Sequence, residues 1–211
     1  MARPPIVTAE SHQELVERTR FAVGRLEETQ SIEFKESQDW STLSARVART
    51  CLAMSNLRDG GIVVIGISER DDQVTITGVD DNVIATYDTD VVIDQINKFA
   101  DPPLDVSVVA IELDGNTLIV IHTQEFREIP TVCKRSFEQE LQNGTMYFRP
   151  RGRPRTEKVQ TSHELREILD LAAEKRTRQF ISTATRVGLL NEQAIPPDGE
   201  EYDREIEEFL K

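Results

Sequence analysis

This sequence predicts an α+β (mixed α/β) domain, a mostly antiparallel or mixed sheet with packed helices, and three observations carry that prediction. Residues 62–67, Ile-Val-Val-Ile-Gly-Ile, form a continuous apolar run, the pattern of a strand covered on both faces. Residues 104–113 and 118–123 flank Asp114-Gly115-Asn116, a strong hairpin signal. Helical spacing of apolar residues appears before, between and after these strands. Hairpins interleaved with helices favour an α+β arrangement over an all-parallel sheet, and they argue against a doubly wound nucleotide fold.

Each element follows from local pattern. Ser11 with Glu14 three residues on forms a capping box, and Leu15, Val16, Ala22, Val23 and Leu26 give the first helix one apolar face. Ile32 and Phe34 alternate with Glu33 and Lys35, which predicts a short, half-exposed strand. Ser41 is the N-cap expected for a second helix, with Leu43, Val47, Cys51 and Met54 on one face and Ala48 and Leu52 widening it. Gly60-Gly61 ends the following turn, and residues 74–79 are expected to be the hairpin partner of 62–67. Helical spacing returns at Val92, Ile96 and Phe99 until Asp101-Pro102-Pro103 stops it, since proline cannot continue a helix. Residues 131–134 and 146–149 add strands. Thr161 or Ser162 caps a long helix through Leu165, Ile168, Leu169 and Ala172, running to about residue 179. Pro196-Pro197 breaks the chain before a short acidic helix with Ile206, Phe209 and Leu210. The expected organisation is an N-terminal helix (1–26), a core domain (27–180) and an acidic C-terminal segment (181–211).

Composition bounds what the chain does. At 211 residues, 38% hydrophobic and 30% charged, it can bury one core but not two large ones. No apolar stretch approaches the roughly 20 residues that span a bilayer, and the N-terminus has no secretory pattern, so a cytoplasmic protein without membrane partners is expected. Cys51 and Cys133 are too few for a disulfide scaffold and lack zinc spacing; they read as reduced core residues. His12, His122 and His163 also lack ligand spacing and read as surface or cap residues. Trp40 reads as an anchor for the second helix.

A net charge of −13 opposes general polyanion binding, but the charge is uneven. Residues 149–158 carry five basic side chains (Arg149, Arg151, Arg153, Arg155, Lys158) against one acid, whereas residues 191–211 carry eight acids against two bases. Alternation would place the four arginines on one face of an extended segment, where guanidinium groups suit successive phosphates. The competing reading pairs them with the acidic C-terminal segment or with a neighbouring subunit.

Four pieces of this chain, in order, resemble the AlbA-like domain of the Schlafen family: Glu28-x4-Glu33-Phe34-Lys35; Ala53-Met-Ser-Asn56; Gly60-Gly61-Ile-Val-Val-Ile-Gly66-Ile67; and Tyr147-Phe-Arg149-x-Arg-Gly152 with Thr156. The resemblance covers residues 26–171. It implies nucleic-acid handling: Schlafen-type members look like metal-dependent endoribonucleases acting on structured RNA such as tRNA, and bacterial relatives are described as DNA-binding domains. Carried over, the family's acids fall on Glu28, Glu33 and Glu69, the last being a departure because the family has aspartate there; Asp71 or Asp72 are the substitutes. Larger relatives form their groove from two lobes, so a homodimer is the implied partner of this single lobe.

The chemistry can be stated independently. Magnesium or manganese favours carboxylate oxygens, and an ion held by Glu28, Glu33 and Glu69 could orient water and neutralise charge on a scissile phosphate, with Lys35 as a further cation. Their odd separation would put Glu28 and Glu33 on opposite faces of one strand, so Glu28 must lie in the helix-to-strand turn for such a site to form. Taken singly, Glu33 and Lys35 also fit the solvent face of an edge strand, and Glu69 fits an acidic turn. No Gly-x4-Gly-Lys-Ser/Thr loop occurs, so ATP is not expected. The sequence therefore supports a nucleic-acid-binding endoribonuclease, with a non-catalytic DNA-binding regulator as the alternative. A partner-controlled module whose acidic segment after Gly188 covers the basic arm is a third reading.

Overall fold

A computed structural model describes residues 12–70 and 73–189. Ser11 of the expected capping box, Asp71 and Asp72, and the acidic segment after Leu189 lie outside the described residues. The chain divides into two compact units at Asp170 and Leu171.

The first unit is α+β, built on a four-stranded mixed sheet in the order β1-β2-β7-β6. β1 (Ile32–Lys35) lies parallel to β2 (Gly61–Ile65), with Glu33 opposite Val63. β2 runs antiparallel to β7 (Asn116–Thr123), which pairs with β6 (Val106–Leu113). The β6–β7 turn is Asp114-Gly115, both at positive φ, as a two-residue hairpin with matching twist requires. Every residue of β2 is buried, as its apolar run predicts.

Helices cover the two faces. α1 (His12–Arg25) contributes Leu15, Ala22 and Val23 to a cluster with Phe34, Ile62, Val64, Leu118 and Val120. Strand alternation sends Val63 and Ile65 the other way, toward α2 (Trp40–Ser55), which packs on β2 and on α4 (Thr89–Asn97). The N-cap of α2 is Asp39, not Ser41. Trp40 then anchors the helix: its indole N–H donates to Gln95 of α4 at 2.9 Å, and its ring meets Tyr87 at 5.7 Å. The short α3 (Asp81–Ile84) precedes α4, which is capped by the Asp88 carboxylate accepting from Val91 N–H at 3.0 Å.

The apolar run 62–67 is not one strand. Gly66 sits at φ 106, and a Cβ there would come within 2.9 Å of Leu118 and Val79 side chains. The chain turns at this glycine, so β3 (Ile67–Arg70) leaves the main sheet and pairs with β4 (Gln73–Ile76). The hairpin partner of residues 74–76 is thus β3 rather than the whole run. Gly60, at φ 64, brings the chain so close to β7 that a Cβ would lie 2.0 Å from the Thr123 carbonyl oxygen; the glycine pair serves the entry of β2.

Two further ribbons complete the unit: β5 (Ala100–Asp101) with β8 (Val132–Cys133), and β9 (Tyr147–Phe148) with β10 (Glu157–Lys158). Asn56, buried at the end of α2, joins them. Its amide donates to the carbonyls of Thr131 and Tyr147 at 3.0 Å each, and its oxygen accepts Thr131 N–H at 2.8 Å. Cys51 and Cys133 are buried free thiols, and burial pushes the Cys51 thiol up to about 12. His122 is no surface residue: it lies inside β7, 4% exposed, and burial lowers its pKa to about 4.

α5 (Ser162–Arg186) begins in the first unit. Thr161 is its cap, in a reciprocal box: Glu164 N–H donates to the Thr161 hydroxyl at 3.2 Å, and the Glu164 carboxylate accepts Thr161 N–H at 3.1 Å. The second unit starts at Leu171 and continues α5 past the expected end near residue 179. No described helix is long and apolar enough to cross a membrane.

Candidate functional site

The turn from α1 to β1 carries Glu28, and Leu26 at φ 48 ends the helix before it. The Glu28 carboxylate accepts the backbone N–H of Phe34 at 2.6 Å. Burial raises its pKa, opposed first by that hydrogen bond; Glu33 raises it further, while Lys35 and Arg149 pull it down.

Glu33 projects from β1 and is taken by two cations. One carboxylate oxygen pairs with the Lys35 ammonium and the other with the Arg149 guanidinium. Lys35 also donates to its neighbour's carbonyl, that of Phe34, at 3.1 Å. Arg149, expected to face solvent and phosphate, is 0% exposed. Its Nε donates to Gln30 O at 2.8 Å, and its terminal nitrogens reach Thr29 O at 3.0 Å, Ile32 O at 3.2 Å, Glu33 and the Thr156 hydroxyl at 3.5 Å. A buried guanidinium must have its donors satisfied, and the carbonyls of the Thr29–Ile32 turn do this. Arg149 therefore belongs to the architecture and offers no phosphate contact.

Glu69, on β3, is exposed and shares a cleft of about 560 Å³ with Glu27 and Glu28, Val74 of β4, and Arg153. Glu33 does not line it. Among the described residues no group of three His, Cys, Asp or Glu side chains is placed to hold a metal ion. The expected convergence of Glu28, Glu33 and Glu69 is thus not formed there: both Glu33 oxygens already face cations, which occupy the electrostatic role that a divalent ion would fill. The residues as arranged do not fit a three-carboxylate metal centre.

The remaining basic arm is exposed, but not as an extended strand. Arg153 N–H donates to Pro150 O at 3.3 Å, and Gly152 takes φ 74, so residues 150–153 turn. Strict alternation is lost, which is how Arg149 points inward while Arg151, Arg153 and Arg155 point out. Arg151 lies 3.8 Å from Glu167, Arg155 pairs with Glu157, and Lys158 donates to Gln142 at 2.6 Å. Arg153 has no ion pair among the described residues. Pairs such as these, with the arginine exposed at the surface, contribute little to stability.

Sequence reasoning missed the fixing of this arm. The signal was the Glu33 and Arg149 pair itself, one charge within β1 and the other directly after the apolar pair of β9. It also missed Asn56 as the residue that fastens β8 and β9 to α2.

The pattern of a family described as "Schlafen, AlbA_2" matches residues 28–158. No curated protein matches the chain. Two solved structures are similar: the DIP2311 protein from Corynebacterium diphtheriae, 20% identical at a TM-score of 0.43, and the N-terminal domain of a RecG-related protein from Nitrosomonas europaea, 19% identical at 0.42. The first similarity covers 62% of this chain and 22% of that protein, so this chain spans about a fifth of its length; the second covers 69% of this chain and 94% of that domain. With a family match over residues 28–158 that includes the Glu28–Glu33, Asn56, Gly60–Gly66 and Arg149 segments, the chain belongs to the Schlafen AlbA_2 family, a nucleic-acid-binding family.

Proposed function

We propose that this protein binds nucleic acid through the exposed loop that carries Arg151, Arg153, Arg155 and Lys158. One observation carries this reading: the loop is braced from beneath by the buried Arg149, so its outward cations are held on a fixed base rather than on a mobile tail. The arginines themselves are exposed and their carboxylate partners, Glu157 and Glu167, are few, so the guanidinium groups remain open to a phosphate backbone. Fluorescence anisotropy with labelled tRNA and with duplex DNA tests it. Arg151→Ala, Arg153→Ala and Arg155→Ala together should weaken binding to both by a similar factor and flatten its salt dependence by about two to three units of slope. Unchanged affinity would refute the assignment. Preference between tRNA and duplex DNA distinguishes an RNA-directed protein from a DNA-binding regulator.

A second reading, RNA cleavage, is favoured by one feature: Glu28 and Glu69 share a cleft with Arg153. Incubation of tRNA with manganese, and separately with chelator, tests it. Fragments lost in both Glu28→Gln and Glu69→Gln, with binding retained, would support it; intact tRNA under all conditions would exclude it. Homodimerisation fits the same picture, because α5 exposes Phe180 and Ile181. Light scattering should then give twice the chain mass, reduced to one by Phe180→Asp.

A further inference from the structure

We propose that a second pocket, between α2, α4 and the loop after β8, receives an unpaired nucleobase of a single-stranded nucleic acid, with Lys98 and Arg135 taking the flanking phosphates. This deepens the nucleic-acid reading and rests on it, but it uses none of the loop cations.

The pocket measures about 250 Å³ and is lined by α2 at Ser44 and Ala45 and by Gln95, Lys98, Phe99, Arg135 and Phe137. That is below the roughly 300–1,000 Å³ of drug-sized sites, so it has room for one ring system and not for a dinucleotide cofactor. Phe99 and Phe137 meet edge to face, with centroids 5.9 Å apart. Phe137 is 44% exposed, an open aromatic face of the kind on which bases stack. It is held in place by its own loop: Phe137 N–H donates to Leu141 O at 2.9 Å, and Lys134 N–H donates to Phe99 O at 2.8 Å.

Polar groups around the aromatics suit a base. The Trp40 indole N–H occupies the Gln95 oxygen, which turns the Gln95 –NH2 toward other acceptors, such as an exocyclic carbonyl of a base. Lys98 and Arg135 are exposed and carry no ion pair among the described residues. On a chain of net charge −13, where the arm arginines 149, 151 and 155 each face a carboxylate, two uncompensated cations beside an aromatic pocket are complementary to a polyanion. Only an unpaired base has a face free to stack, so the ligand is single-stranded.

Trp40 is the sole tryptophan and is bonded to a pocket residue, so its emission reports on this pocket. The full chain would be titrated with a labelled uridine octamer and with an abasic octamer of equal charge. The expected result is about tenfold tighter binding of the uridine octamer, with a change in Trp40 emission that the abasic octamer does not produce. Phe137→Ala should remove both the preference and the emission change at an unaltered melting temperature, while Phe137→Tyr retains them. Replacing Arg151, Arg153 and Arg155 by Ala should weaken both octamers and keep their ratio. Equal affinity for the two octamers in the unmodified protein would overturn the pocket while leaving the loop assignment intact. Failure of these octamers, tRNA and duplex DNA to bind at all would overturn both. A Trp40 response to N-acetylphenylalanine amide but not to uridine monophosphate would assign the pocket to a peptide side chain, and would also overturn the proposal.

Discussion

At the scale of single residues, Arg149 decides the geometry of the site. It satisfies three backbone carbonyls and half of the Glu33 carboxylate. Arg149→Met is therefore expected to destabilise the fold by about 3–5 kcal/mol in urea titrations, since it strands those acceptors. Arg149→Lys should rescue little, because a point-like ammonium cannot span a turn and a carboxylate together. The sequence announced that this arginine mattered, through its place in the family pattern. It gave the wrong side of the surface for it, since arginine is almost never fully buried unless paired, and its partner lies 116 residues away in the chain. Glu28 lies in the turn that a site shared with Glu33 would require, but the odd spacing alone did not fix it there.

At the scale of elements, the legible features were those set by local chemistry. The Asp114-Gly115 hairpin and the double-faced burial of β2 follow from residues adjacent in sequence, whereas the Trp40 anchor closes on Gln95 and Tyr87, distant in the chain. The division at Gly66 was not legible, because an apolar run looks the same whether it continues or turns; only the crowding of Leu118 and Val79 reveals it. Gly66→Ala should cost more than about 2 kcal/mol, as strain and overlap act together, and a thermal melt would show it. β7 has its own test. His122 is held neutral in the folded state with a pKa of about 4, below its unfolded value, so the unfolded chain binds the extra proton between the two values. Stability should accordingly fall as pH drops from about 6.5 to 4, by on the order of 2 kcal/mol relative to a His122→Leu variant measured alongside. A parallel pH response in the two proteins would contradict this burial.

At the scale of the whole molecule, an acidic protein that binds nucleic acid must do so through a small, locally basic area. With three to four phosphate contacts from the loop, affinity for tRNA should drop about 20- to 150-fold between 50 and 200 mM salt, a slope that titration would measure directly. The net charge of −13 opposes the approach of any polyanion, so productive encounters depend on that basic area. The Glu33 and Arg149 pair has a consequence for any assay of function. An alanine at position 33 withdraws the counter-ion of a fully enclosed guanidinium, and the exposed loop that springs from Arg149 then loses its footing. Inactivity of such a variant would speak of scaffolding before chemistry, and the exposed Glu69 is the position where a silent substitution can be told from a collapsed one.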